Sequence, residues 1–199
     1  MKLTRREVLV AGAALPLAAR LAQAAPARGG FRYSDLLPDV GLVTSAGERV
    51  QFVRDCVRDA RVVLGFSYVK CQGSCPATNL VFQKLQQDLA GTAGIRLFSI
   101  TLDPEHDGPA ELAAHARKLN ATPQGARAPW EFLTGPKADI EALREALGYR
   151  DLDPAVDAVR SNHAAMITFG DDARNVWRAL PARLPYATLL RAVRKVVRS

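Results

Sequence analysis

The chain has 199 residues, enough for one domain with a sizeable core and too few for two of ordinary size. Hydrophobic residues make up 48% and charged residues 24%, which excludes a disordered chain and a polytopic membrane protein. The formal net charge of +7 lies partly at the N-terminus, and no Arg/Lys stripe interleaved with aromatics accompanies it, so no nucleic-acid partner is indicated.

The chain opens with Lys2 and the adjacent pair Arg5-Arg6, followed by an apolar run over residues 8–19 and small residues at Ala22-Gln23-Ala24 and Ala25-Pro26-Ala27. A basic start, a short apolar stretch and an Ala-x-Ala end are the parts of a secretory signal. We read residues 1–24 as that signal peptide, and the paired arginines point to the twin-arginine route. The run is shorter than the ~20 residues of a bilayer span, and Pro16 interrupts it. The expected destination is the periplasm, with no permanent membrane span after cleavage; a signal anchor facing the periplasm is the alternative. Residues 25–37 are rich in Ala, Pro, Arg and Gly and read as a flexible linker, leaving 38–199 as the folded domain.

Within that domain, Val62-Val63-Leu64-Gly65-Phe66 is an apolar run short enough for a central strand. Pro76 suits the first position of the helix that follows, because that position leaves its amide hydrogen unused. Val81, Phe82, Leu85 and Leu89 recur on one face of this helix. Ile95–Thr101 reads as a second central strand, and Leu112, Ala116 and Leu119 mark another helical face. Trp130-Glu131-Phe132-Leu133 reads as a short strand, and Ile140, Leu143 and Leu147 as a helix. Residues 164–169 form a strand that turns at Gly170-Asp171-Asp172 towards Val176-Trp177, and Leu189, Leu190, Val193 and Val197 give the last helix its buried face. Strands alternating with helices make an α/β fold, a sheet covered on both sides. No Gly-x-Gly-x-x-Gly follows a strand, which argues against a nucleotide-binding doubly wound fold.

The three cysteines are Cys56, Cys71 and Cys75. An exported chain can form disulfides, and an odd number divides most simply into a pair and one buried or free thiol. Cys71-Gln72-Gly73-Ser74-Cys75-Pro76 runs from a strand end through a loop to a helix start. Gly73 lets the loop curl so that both sulfurs face one point. Cys75 falls at or near the helix N-cap, where free amides and the helix dipole favour a negative sulfur, and Lys70 adds to the effect. One unit of thiol acidification corresponds to ~1.4 kcal/mol. A thiolate is both the nucleophile of disulfide exchange and the soft ligand that copper(I) prefers. A permanent disulfide stapling the loop is the bland alternative.

Three histidines could join such a pair. His115 lies mid-helix and is expected on the surface; His106 sits in the charged turn Asp103-Pro104-Glu105-His106-Asp107 and is expected to be solvent-exposed. His163 follows Arg160-Ser161-Asn162 and immediately precedes an apolar strand. Two thiolates and one imidazole form a mixed soft and borderline set that suits copper(I) in near-trigonal geometry and copper(II) with one further ligand. Zinc normally asks for a fourth ligand, and Met166 has the spacing of a core residue.

These residues give the chain its resemblance to the SCO1/SenC family. The similar segments are Gly65 to Pro76, Ile100-Thr101-Leu102-Asp103-Pro104-Glu105-His106-Asp107-Gly108-Pro109, Trp130 to Gly135, and His163 before a strand ending at Asp171. They occur in family order over roughly residues 35–195. The resemblance implies a thioredoxin-like central mixed sheet flanked by helices. It implies that Cys71 and Cys75 are copper-binding and redox-active, that His163 is the distal ligand, and that Asp103-Pro104 belongs to a structural loop; it gives Cys56 no role, which leaves that residue as a structural thiol. It further implies a copper metallochaperone that delivers copper to, or maintains the thiols of, the binuclear site of cytochrome c oxidase subunit II, with a thioredoxin-like reductant as a possible partner. Another copper enzyme as client, and a copper-independent thiol–disulfide oxidoreductase, stand as alternatives. Ser161-Asn162 occupy the place where the family more often carries an acidic residue, which puts outer support for the imidazole in question.

Overall fold

Apolar residues that alternate along the strands divide the core between the two faces of a single sheet. The computed structural model describes residues 30–71, 73, 75–121, 127–159 and 165–198. Its strands are β1 (Gly41–Thr44), β2 (Arg49–Gln51), β3 (Arg61–Ser67), β4 (Ile95–Thr101), β5 (Trp130–Thr134), β6 (Met166–Asp171) and β7 (Val176–Pro181). Its helices are α1 (Cys75–Asp88), α2 (Pro109–Lys118), α3 (Lys137–Ala146), α4 (Pro154–Asp157) and α5 (Tyr186–Val197). The sheet order is β2-β1-β5-β4-β3-β6-β7, with β3, β4 and β5 parallel and the other pairings antiparallel.

Val63 faces one side of β3 and packs with Phe82, Leu85 and Leu89 of α1, Leu112 of α2, and Leu189 and Val193 of α5. Val62, Leu64 and Phe66 face the other side, against Ile140 and Leu143 of α3 and the helical turn Phe52–Val57. Burial on both faces is why β3 and β4 read as continuous apolar runs rather than alternating ones. The expected elements from residue 62 onward are all present. Two features were not legible. The β1–β2 hairpin is short, and only Leu42 of its residues is buried among hydrophobics, so it leaves little periodic signal. The short helix α4 has no buried residue at all.

The expected linker 25–37 ends earlier than its composition suggests. Arg32 reaches Asp59 at 2.6 Å and the fully buried Asp172 at 3.2 Å, the Tyr33 ring lies 5.1 Å from that of Trp177, and Ser34 and Leu37 are buried. Residues 31–37 therefore belong to the domain; a long-range ion pair and an aromatic contact outweigh the local small-residue composition. The signal peptide and linker residues 25–29 lie outside the described residues.

Candidate metal centre

β3 carries the chain to Ser67 at one end of the sheet, and a turn closed by the Cys71 amide donating to the Tyr68 carbonyl at 3.2 Å brings Cys71 round. Cys75 is the first residue of α1. The two sulfurs are in hydrogen-bond contact, with no disulfide between them. Cys75 is buried and Cys71 is half-buried.

Burial raises the Cys75 thiol well above its ordinary value, and the hydrogen bond with Cys71 adds to the rise. Backbone hydrogen bonds at Tyr68 and at Cys75 itself pull downward but do not win. The sequence-based expectation that the helix start would acidify Cys75 is therefore reversed in the dithiol, because the Cys75 side chain is buried and desolvated. Cys56 is buried among Phe52, Val62 and Phe98, with its thiol pushed up to about 12, chiefly by desolvation; it is a structural thiol, as expected.

The turn before Cys71 is held from below. The carboxylate of Asp107, buried at the end of the 103–107 turn, accepts from the Val69 amide at 3.0 Å and from the Thr101 hydroxyl at 2.7 Å. Thr101 in turn accepts from the Asp103 amide at 2.9 Å. Sequence reasoning placed Asp107 only in a charged turn; what sets it apart is its burial, for which a single carboxylate in a polar stretch gives no sign.

The histidines separate. His106 is solvent-exposed as expected, with Nδ1 2.9 Å from an Asp103 carboxylate oxygen. His115 is not on the surface: it is half-buried, its ring meets Phe132 edge-on at 5.6 Å, and its Nε2 lies 3.5 Å from Nδ2 of Asn79. Burial lowers its pKa. It turns inward because Asn79, one turn along α1 from Cys75, offers a polar contact inside the apolar layer. His163 and Ser161-Asn162 lie outside the described residues, as do residues 122–126. Among the described residues no group of three or more His, Cys, Asp and Glu side chains is arranged to hold a metal. Met166 packs with the second core layer, the ordinary role expected of it.

The position of β6 itself is defined. β6 runs antiparallel to β3, with Leu64 opposite Thr168, so the start of β6 lies at the same end of the sheet as the end of β3. Cys71 follows Ser67 by four residues and His163 precedes Met166 by three. A chain of three residues spans at most ~11 Å.

A mixed sheet sandwiched by helices, with a cysteine pair where a central strand turns into a helix, defines a thioredoxin-like thiol protein. The chain belongs to the SCO1/SenC family, whose model matches residues 37–198. Solved structures share the fold. A SCO1/SenC family lipoprotein from Bacillus anthracis superposes with a TM-score of 0.63 at 20% identity, covering 80% of this chain and 94% of that one. Copper-bound ScoI of Bradyrhizobium japonicum gives 0.59 at 19% identity over 78% and 96%, and copper-bound yeast Sco1 gives 0.62 at 17% over 80% and 86%. No curated protein matches the chain. No helix among the described residues is long and apolar enough to cross a membrane.

Proposed function

We propose that this protein is a copper metallochaperone of the periplasm, exported by the twin-arginine route, which binds one copper ion through Cys71, Cys75 and His163. Its client is the binuclear copper site of cytochrome c oxidase subunit II, to which it passes copper or whose thiols it keeps reduced. The observation that supports this reading is the antiparallel pairing of β3 with β6, which puts the end of β3, before Cys71 in the chain, and the start of β6, after His163 in the chain, at one end of the sheet. Membership of the SCO1/SenC family, and copper in the related ScoI and Sco1 structures, support the choice of ion. Two adjacent thiols are also the donor type copper(I) prefers once deprotonated. Copper binding must release the Cys75 proton, and the ion supplies the charge that offsets desolvation of the thiolate.

The test is titration of the reduced full-length protein with copper(I) and copper(II), read by absorption and paramagnetic resonance. One ion per chain is expected, weakened in each of Cys71→Ala, Cys75→Ala and His163→Ala. Unchanged affinity and spectra in His163→Ala would remove the third ligand from the reading.

One observation favours a second reading, a copper-independent thiol–disulfide oxidoreductase. A half-buried thiol in contact with a buried one suits attack by Cys71 on a substrate disulfide and resolution by Cys75. Turnover of a protein disulfide without added copper, abolished by either cysteine change, would establish it.

A further inference from the structure

The ladder between β3 and β6 stops before either strand does. Their register pairs Leu64 with Thr168, yet β3 runs on to Ser67 beside β4, and β6 begins two residues earlier, at Met166 beside β7. At the stopping point stands the hydroxyl of Tyr149. The Thr168 amide and the Thr168 hydroxyl lie 3.1 and 3.2 Å from it as donors, and the carbonyls of Leu64 and Met166 each lie 3.2 Å from it as acceptors. The Asp172 amide donates to the Ala60 carbonyl across the same two strands, so hydrogen-bonded pairs recur at every second residue and Leu64 with Thr168 is the last of them. Both groups of that last pair also meet the phenol. The Met166 carbonyl, which the next such pair would direct at Phe66, is taken by the phenol instead.

The ring reaches this place by a defined route. Gly148, at φ 73°, ends α3 in a left-handed turn, with the Tyr149 amide returning to the Arg144 carbonyl at 2.8 Å and the Gly148 amide to that of Glu145 at 3.0 Å. This sends Tyr149 under the sheet, where its ring stands edge-on to Phe66 with centroids 4.7 Å apart. Burial drives the phenol's pKa upward, so the hydroxyl remains a donor throughout the working range.

We infer that Tyr149 is a positioning residue that holds the ends of β3 and β6 apart as a fork, setting the spacing between the cysteine turn on one tine and the segment leading into β6 on the other. A hydroxyl standing where the next rung would form keeps the strand ends apart without leaving the Met166 carbonyl unpaired. A continued ladder would tie residues 66–67 to residues 165–166 and leave no gap for a third group between the two segments. The consequence for copper rests on the metal-site reading above; the fork itself does not.

The experiment compares the full-length wild type with Tyr149→Phe, which removes one oxygen and keeps the ring. Amide hydrogen exchange of the reduced protein should show Thr168 and its neighbours at the fork exchanging about tenfold faster or more, with Val62, Val63, Phe169 and Gly170 little changed. Copper(I) affinity should fall about tenfold, with an altered copper(II) resonance spectrum. Leu189→Ala, which opens a cavity in the opposite core layer, serves as a control for lost stability and should leave affinity and spectrum unchanged. Exchange that is unchanged, or that rises uniformly across the sheet, overturns the fork. A faster-exchanging fork with unaltered copper affinity and spectrum overturns the positioning role. If the wild type itself takes up no copper, the metal reading falls and exchange alone decides the fork.

Discussion

Asp107 holds Val69: one carboxylate oxygen receives the Val69 amide at 3.0 Å and the Thr101 hydroxyl at 2.7 Å, two residues ahead of Cys71. The turn that presents the half-buried sulfur is thus tied to the end of β4 by a buried carboxyl group. Asp107→Ala strands both donors and should cost about 2–3 kcal/mol, read from the urea midpoint. Asp107→Asn keeps an acceptor oxygen and should cost about 1 kcal/mol. Alkylation of Cys71 should accelerate in the alanine variant as the turn loosens, and an unchanged rate would show that the turn holds itself.

Gly65 sets how closely α1 approaches β3. A Cβ placed there would stand 3.0 Å from two ring carbons of Phe82, which is itself fully buried and has nowhere to move. Gly65→Ala should therefore push the helix outward and destabilise the fold by about 1–3 kcal/mol. Cys75 begins that helix, so the sulfur contact with Cys71 should weaken in parallel, seen as a slower rate of disulfide formation.

Burial of Cys56 makes stability depend on pH in a stated direction. Its thiol is raised from 9.0 to about 12, so the folded protein keeps a proton that the unfolded chain loses. The contribution is complete below the unfolded value and is lost as pH rises from about 9 towards 12, at ~1.4 kcal/mol per pH unit. Denaturation of the reduced protein at pH 7, 9 and 10 should show the decline. Cys56→Ala should be less stable at pH 7, by about 1–2 kcal/mol, and decline less steeply. Copper uptake should be unaffected by this change.

Arg144 is buried in α3 and reaches Asp157 of α4 at 2.6 Å and Glu141 at 2.8 Å. The Asp157 carboxyl is held below its usual range, first by the Asp151 amide and then by Arg144 and Arg150. Arg144→Ala leaves that carboxylate without its buried cationic partner and should cost about 3 kcal/mol in thermal unfolding. Arg144→Met fills the same space and should cost less. Because α4 has no buried residue of its own, limited proteolysis should cut first at residues 151–159 in the alanine variant.

Most of the sheet was legible because its signal is local. Ile95–Thr101 is apolar on both faces and reads as a buried strand without reference to anything distant. The helical faces of α1, α2, α3 and α5 repeat at 3.6 residues for the same reason. Residues 31–37 were misread because their place depends on Asp172 and Trp177, which lie more than 130 positions away. His115 was misread because a histidine among alanines carries no mark of the Asn79 that turns it inward.

At the candidate site, the cysteine pair and its place before a helix could be read from residues 65–76 alone. The acidity of Cys75 could not, since a helix start lowers a thiol pKa only where solvent and fold leave it charged, and here packing decides the balance. Nor does anything around Tyr149 announce that its hydroxyl will stand where the ladder between two strands ends.

Which residues can do chemistry, and which stretches become strand or helix, followed from side-chain type and short-range periodicity, both written within a few neighbouring positions. Which end of the sheet receives the segment before β6, which thiol is desolvated, and which hydroxyl spaces β3 from β6 were decided only on folding. Those outcomes depend on strand order and burial, which arise from contacts between residues remote in the chain.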